Sequence, residues 1–222
     1  MILIPGYSIK ETILTEKKTI LYKGLEITNE QPVLLKTFQV EDLNLEDVTQ
    51  FKQEYQISQK IACSGILKCY ELKIFENNLA LILEDFSCLP LSQFPQKTIF
   101  SIADFLRIAI SLSETLGELH KQSIIHNQIE PKNIFINPQT KEVKLTGLGR
   151  AIIVPTEQQT IRDIDWQEDS FAYISPEQTG RINRFLDYRT DFYSLGITFY
   201  EILTGTVPFS SEDRMEMLYS HI

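Results

Sequence analysis

An α+β fold, with a small sheet lobe ahead of a mainly helical one, is what the order of hydrophobic patterns along the chain predicts. Three observations carry it. The first third reads as strands: 7–14, 19–26 and 32–39 are rich in β-branched and aromatic residues with partial alternation at period two. One stretch of helical spacing, 46–61, interrupts them before 66–75 and 79–84 return to the strand pattern. From Ser101 onward the strongest patterns are helical, and that order indicates two lobes of different architecture.

Each element has a local reason. Asn29-Glu30-Gln31-Pro32 is a polar turn closed by proline between the second and third strands. In 46–61, Val48, Phe51, Tyr55 and Ile57 suit one buried side, with Lys52, Gln53 and Lys60 among the exposed positions. Glu76-Asn77-Asn78 is placed to turn the hairpin between 66–75 and 79–84. Residues 85–97 lack a period and read as a connector. Ser101 is a candidate cap for a helix in which Ile102, Phe105, Ile108, Ala109, Leu112, Leu116 and Leu119 recur, with Asp104 in its first turn. Two short strands, 134–136 and 143–145, flank Asn137-Pro138-Gln139-Thr140, and a polar stretch runs from Gly147 to Gly180. A last helix, 189–203, stops at Gly205 with Pro208 just beyond. The expected organisation is a first lobe over 1–84, a connector over 85–97 and a second lobe over 98–222.

Bulk properties exclude several function classes. With 43% hydrophobic and 23% charged residues, the 222-residue chain has the composition of a soluble globular protein. A formal net charge of -9 argues against nucleic acid as a partner, because an acidic surface repels a phosphate backbone. Cys63, Cys69 and Cys88 are odd in number and lack CxxC spacing, so neither a disulfide framework nor a zinc site is indicated. His120, His126 and His221 are too scattered for a metal cluster. The apolar opening 1–7 has no basic flank of a signal peptide, and no apolar run reaches the length of a membrane span. A cytoplasmic location is the expectation.

Several short segments, in order, resemble the protein-kinase pattern. Val33-Leu34-Leu35-Lys36 looks like the strand carrying the phosphate-binding lysine, and Glu54 lies where that lysine's ion-pair partner belongs. Leu83-Glu84-Asp85-Phe86 resembles the hinge between lobes, which makes Glu84 and Phe86 candidate nucleotide contacts. The segment 124–133, with His126, Gln128, Glu130 and Asn133, resembles the catalytic loop. Val143 to Gly149 takes the place of the metal-binding DFG segment, 173–177 that of the APE segment, and 191–196 that of the large central helix of the second lobe. The wording of 173–181 and of 204–209 is similar to the N-terminal kinase-like domain of large bacterial, especially cyanobacterial, sensor proteins. Those proteins carry an ATPase-like region, a GAF domain and a histidine kinase further along.

That resemblance implies a bilobal fold whose catalytic parts can be checked in turn. Phosphoryl transfer needs a lysine and glutamate to hold phosphates, metals to bridge them and a base to orient the nucleophile. Gln128 stands at the base position, where an amide carries no charge and accepts no proton near neutral pH. Glu130 replaces the lysine that would stabilise the moving phosphoryl, putting repulsion beside a polyanion. A displaced base role for Glu130 requires its side chain to reach the base's place. Gly147 replaces the DFG aspartate and offers no oxygen to Mg²⁺, leaving Asn133 as the remaining ligand. The phosphate-covering loop has Leu14, Glu16 and Thr19 where glycines would let backbone approach phosphate, though Lys17 and Lys18 could offset the charge. Leu34 shares a strand face with Lys36 and takes volume that adenine would use. His126, Glu177 and Asp191 are expected to be structural.

Two functional classes follow. The leading one is a pseudokinase, a non-catalytic signalling or scaffold module with a protein partner or downstream domains of a longer chain as its target. Bound ATP and Mg²⁺ are disfavoured cofactors in this reading. The alternative is an active serine/threonine kinase with atypical catalytic residues, motivated by Lys36, Glu54 and Asn133. The sequence given breaks off at Ile222, before further helices that the resemblance implies for the second lobe, so that lobe is expected to be incomplete.

Overall fold

A computed structural model of the chain describes residues 2–39, 44–76, 78–94, 100–154, 168–182 and 184–222. Asn77 of the expected hairpin turn, residues 95–97 of the connector and 155–167 of the polar stretch 147–180 lie outside them.

The first lobe is a five-stranded antiparallel sheet of order β1-β2-β3-β5-β4. Its strands are β1 (Tyr7–Thr15), β2 (Thr19–Glu26), β3 (Pro32–Phe38), β4 (Cys69–Phe75) and β5 (Asn78–Glu84), with helix α1 (Leu45–Ser58) between β3 and β4. Both faces of the central strands are covered, so β3 and β5 read as nearly continuous apolar runs. Period two sorts them. Val33, Leu35, Ala80 and Ile82 pack on one face with Ile4, Tyr22 and Phe75. Leu34, Phe38, Leu81 and Leu83 pack on the other with Phe51 of α1 and Phe135 of the second lobe. Lys36 therefore emerges on the face that meets α1 and the other lobe.

Asn44 caps α1: its side chain accepts from the Asp47 N–H at 2.8 Å, and Asp47 returns the bond in a capping box. Asp47 also takes the Lys18 ammonium at 2.8 Å, tying the β1–β2 turn to the helix start. Asn44→Ala is expected to cost about 1 kcal/mol, read as a lower denaturation midpoint at unchanged slope. Phe51 and Ile57 are buried on α1, Val48 and Tyr55 half-buried, and Glu54 is buried among them.

The expected strand 66–75 starts only at Cys69. The residues before it have other partners: the Leu67 N–H donates to the Leu145 carbonyl, and the Leu145 N–H to that of Gly65, both at 2.7 Å. Backbone pairing with the second lobe has replaced pairing within the first.

In that lobe, Ser101 caps α2 (Ile102–Lys121), whose Ile108, Leu112, Leu116 and Leu119 form the centre of the largest apolar cluster. Ile102, assigned to the same stripe by spacing, is exposed in the first turn. Strands β6 (Leu89–Pro90), β8 (Ile134–Ile136) and β9 (Val143–Leu145) form one small sheet; β7 (Ile124–Ile125) pairs with β10 (Ile152–Ile153). Asn137 organises the β8–β9 turn, its side-chain oxygen accepting from the Gln139 and Thr140 N–H groups at 2.9 Å each. Helix α3 (Arg189–Thr204) ends at Gly205, whose φ of 78° is one that glycine adopts freely, and α4 (Arg214–Tyr219) follows. Among the described residues no helix is long and apolar enough to cross a membrane.

Candidate functional site

Lys36 reaches from β3 to Glu54 of α1, with Nζ–Oε2 at 2.9 Å. Burial works against its charge, but the Glu54 carboxylate more than compensates and holds the ammonium above its ordinary pKa. The other Glu54 oxygen accepts from the Gly147 N–H at 3.0 Å and from the Thr146 hydroxyl at 3.2 Å. Strand, helix and the segment after β9 thus meet on one carboxylate.

The loop between β7 and β8 is fastened from α3. Asp191, with no exposed surface, accepts from the backbone N–H groups of His126 (2.8 Å) and Asn127 (2.7 Å), and His120 Nε2 lies 2.8 Å from it. His126 reaches the Thr146 carbonyl through Nε2 at 2.9 Å, and burial lowers its pKa, favouring the neutral ring. Asn127 sits at φ 65°, a region asparagine tolerates better than most residues. Gln178 donates to its side-chain oxygen at 2.7 Å, which joins the loop to the segment before α3. Glu177 accepts from the Thr190 hydroxyl at 2.6 Å.

Glu130 is 2% exposed, and its oxygens have several donors. Gln128 Nε2 donates to Oε1 at 2.8 Å and Asn133 Nδ2 at 3.3 Å; the Ser170 hydroxyl lies 3.2 and 3.0 Å from the two oxygens, and Lys132 Nζ is 3.4 Å from Oε1. Burial pushes this carboxyl above its usual range, opposed by Lys132, Ser170 and Gln128. The displaced-base geometry weighed for Glu130 thus has to compete with these contacts. Sequence reasoning did not single out Lys132 or Ser170. Opposite charges two apart around Pro131 were a signal for the first; Ser170, forty positions from Glu130, gave none.

Gly147 and Asn133 decide whether a magnesium ion fits. A Cβ on Gly147 would lie 2.5 Å from Cγ and Oδ1 of Asn133 and 2.8 Å from its Nδ2, and φ there is +83°. Asn133 Nδ2 is directed to the Gln128 carbonyl at 3.0 Å and to Glu130. A position without a carboxylate, filled up to its backbone by the other candidate ligand, is a poor octahedral oxygen site. These residues do not fit the metal.

The cleft between the lobes is narrow. On the side of Lys18, Lys36, Glu54 and Gly147 the cavity amounts to about 60 Å³; on the side of Leu14, Leu21, Leu83 and Phe135 it is about 30 Å³. Leu34 is fully buried, packed with Leu21, Leu83 and Phe135 that wall the second cavity. Glu84 and Phe86 direct their side chains to Lys144: both Glu84 oxygens lie 2.9 Å from its ammonium, which stands 5.0 Å over the Phe86 ring. The structure therefore brings together Lys36, Glu54, Gly147, Gln128, Glu130 and Asn133, and leaves the side chains of Glu84 and Phe86 engaged with Lys144.

Residues 10–222 match the family model described as protein kinase domain. A protein described as a probable serine/threonine-protein kinase of Clostridium acetobutylicum is 28% identical over 97% of this chain and 32% of its own length. A protein of the same description from Clostridium perfringens is 37% identical over 53% of this chain and 16% of its own. Hybrid signal transduction histidine kinase G of Dictyostelium discoideum is 30% identical over 54% of this chain and 5% of its own. The chain spans about a third or less of the length of these relatives. With the sheet-and-helix architecture and a family match over nearly its whole length, this chain belongs to the protein kinase domain family.

Proposed function

We propose that the chain is a pseudokinase, a kinase-like module that transfers no phosphate, binds nucleotide weakly or not at all, and works through protein contacts. The observation that carries this is the environment of Glu130. A buried acid stands where a phosphate-facing cation is needed, and its contacts include Gln128 and Asn133, the two side chains at the base and metal-ligand positions. Gly147 adds a metal position without a carboxylate. In this reading Lys36–Glu54 fixes α1 against the sheet, as a buried ion pair can without any ligand. The proposed partner is another domain of a longer signalling protein, in the manner of a kinase-like domain at the head of a bacterial sensor, and the proposed location is the cytoplasm. Relatives several times longer than this chain, one of them a histidine kinase by description, support that context.

The test is a phosphotransfer assay with labelled ATP and Mg²⁺ or Mn²⁺, on the protein itself and on generic protein substrates. Incorporation no greater than that of Lys36→Ala is the expected result. The second reading, an active serine/threonine kinase with atypical residues, is favoured by the formed Lys36–Glu54 pair at 2.9 Å and by the descriptions of the relatives. Turnover by the wild type that disappears in Lys36→Ala would establish it.

A further inference from the structure

We infer that Arg181, Arg184 and Arg214, grouped around Met215 and Tyr219 of α4, form a docking surface for an acidic segment of a partner protein, one in which carboxylates alternate with apolar side chains. The inference rests on the reading of the chain as a module that works through protein contacts, and adds the surface and the chemistry of the partner.

Helix α4 is a fixed platform with two unlike sides. Met217 and Leu218 are buried in an apolar cluster with Phe171 and Ile174. The Asp213 side chain caps the helix, accepting from the Glu216 N–H at 2.8 Å. Just beyond the helix, the His221 ring lies 2.8 Å from the Phe171 carbonyl and 2.9 Å from the Tyr193 hydroxyl. The other side carries Met215 and Tyr219, 42% and 58% exposed. Arg181 stands over that side, its Cζ 5.0 Å from the centre of the Tyr219 ring, with Nη1 3.3 Å from the Tyr219 hydroxyl and Nη2 3.1 Å from Met215 Sδ. Its backbone N–H donates to the Thr179 hydroxyl at 3.2 Å, which fixes the turn beneath it. Arg214 opens α4 with its guanidinium 4.7 Å over the Phe171 ring, and Arg184 follows Arg181 by three residues.

These three arginines lack a counter-charge. Arg107, Arg150 and Arg189 pair with Asp104, Glu46 and Asp187, whereas Arg181, Arg184 and Arg214 are in no ion pair among the described residues. Asp187, the acid nearest Arg184 in sequence, is taken by Arg189 at 2.6 Å, and Glu216 of α4 accepts from the Ser211 hydroxyl at 2.7 Å. A phenol and a thioether hold the Arg181 guanidinium without neutralising it. They engage two of its five N–H donors and leave the rest for a ligand. An arginine so positioned is pre-organised for a carboxylate, since little side-chain freedom is left to lose on binding. Arginine, tyrosine and methionine are also residues enriched at interface centres. The formal net charge of -9 selects among anions. It repels an extended polyanion such as nucleic acid or an acidic membrane, whereas a short segment senses chiefly the cations within a Debye length. Apolar side chains of the segment would cover Met215 and Tyr219, and its carboxylates would meet the arginines.

The experiment is fluorescence polarisation of a labelled peptide of repeated Glu-Glu-Leu triplets, titrated with the wild type, Arg181→Gln/Arg184→Gln and Arg107→Gln/Lys121→Gln. The first double variant is expected to bind about tenfold more weakly than the wild type. The second removes the same charge from exposed pairs on α2 and should bind as the wild type does. Peptides of Gln-Gln-Leu or Glu-Glu-Ser triplets should each bind about tenfold more weakly, and wild-type affinity should fall as salt rises. Equal losses in the two double variants overturn the inference, because net charge alone then accounts for binding. Unchanged affinity in Arg181→Gln/Arg184→Gln overturns it as well. Circular dichroism checks folding; if that variant is unfolded, Arg184→Gln is titrated in its place, with binding about threefold weaker expected. Sedimentation showing wild-type dimers that are lost in Arg181→Gln/Arg184→Gln would assign the face to a second copy and overturn the acidic segment as its occupant. No binding by the wild type would defeat the surface and leave the non-catalytic reading intact. Phosphate transfer to a serine placed in the bound peptide would defeat that reading and leave the surface standing.

Discussion

Asp191→Ala is expected to lower the free energy of unfolding by about 4 kcal/mol, a large share of the roughly 5–15 kcal/mol of a typical domain. The carboxylate has no exposed surface and receives the His126 and Asn127 N–H groups at 2.8 and 2.7 Å, with His120 Nε2 at 2.8 Å. Alanine removes the acceptor and leaves two backbone donors in a closed interior. Each buried donor without a partner costs about 1–3 kcal/mol, and a charged acceptor lies at the upper end of hydrogen-bond strength. Asp191→Asn keeps one acceptor oxygen but turns an amide N–H₂ towards a second donor, so about half the loss should remain. Chemical denaturation measures both, and the alanine variant should melt about 10 °C lower. A loss below 1 kcal/mol for alanine would mean that Asp191 does not fasten this loop.

Gly147→Asp, the substitution that would restore a metal-binding carboxylate, is expected to destabilise the protein by about 3 kcal/mol and to create no magnesium site. Two effects add. The backbone there has φ +83°, which a side-chain-bearing residue adopts at a cost, and the new Cβ would meet Asn133 at 2.5–2.8 Å. Asn133 would have to move, giving up its bonds to the Gln128 carbonyl and to Glu130. The incoming charge would also lie beside Glu54, which already accepts from the Gly147 N–H at 3.0 Å. Thermal melting with and without Mg²⁺ checks this, with Gly147→Ala separating the steric loss from the charge. Near-wild-type stability together with a magnesium-dependent rise in melting temperature would show that the site is repairable and the steric account mistaken.

Much of the architecture was legible because local pattern and burial agreed. The run Val33-Leu34-Leu35 announces a strand covered on both faces, and alternation alone then places Lys36 beside Leu34 and Phe38. Ser101 and Gly205 announce helix ends because the unpaired backbone groups there need those residues. The start of β4 was not legible, since the backbone of 65–67 pairs with β9 across the lobes and side-chain pattern does not report where a backbone bond goes. The exposure of Ile102 was missed for a related reason: helical spacing defines a face but not how far along the helix that face stays covered.

The candidate site divides in the same way. Sequence by itself determined which chemical groups stand at the motif positions: an amide at Gln128, an acid at Glu130, no side chain at Gly147, and the lysine and glutamate that could pair. Those are statements of composition at a place, and they hold whatever the packing. Tertiary structure alone decided what each group touches. It buried Glu130 against Gln128, Asn133, Ser170 and Lys132, closed Gly147 against Asn133, and set Glu16 between the lobes beside Lys132. The reason is physical: charge and hydrogen-bonding capacity belong to a residue, but their effect depends on desolvation and on partners brought from distant segments.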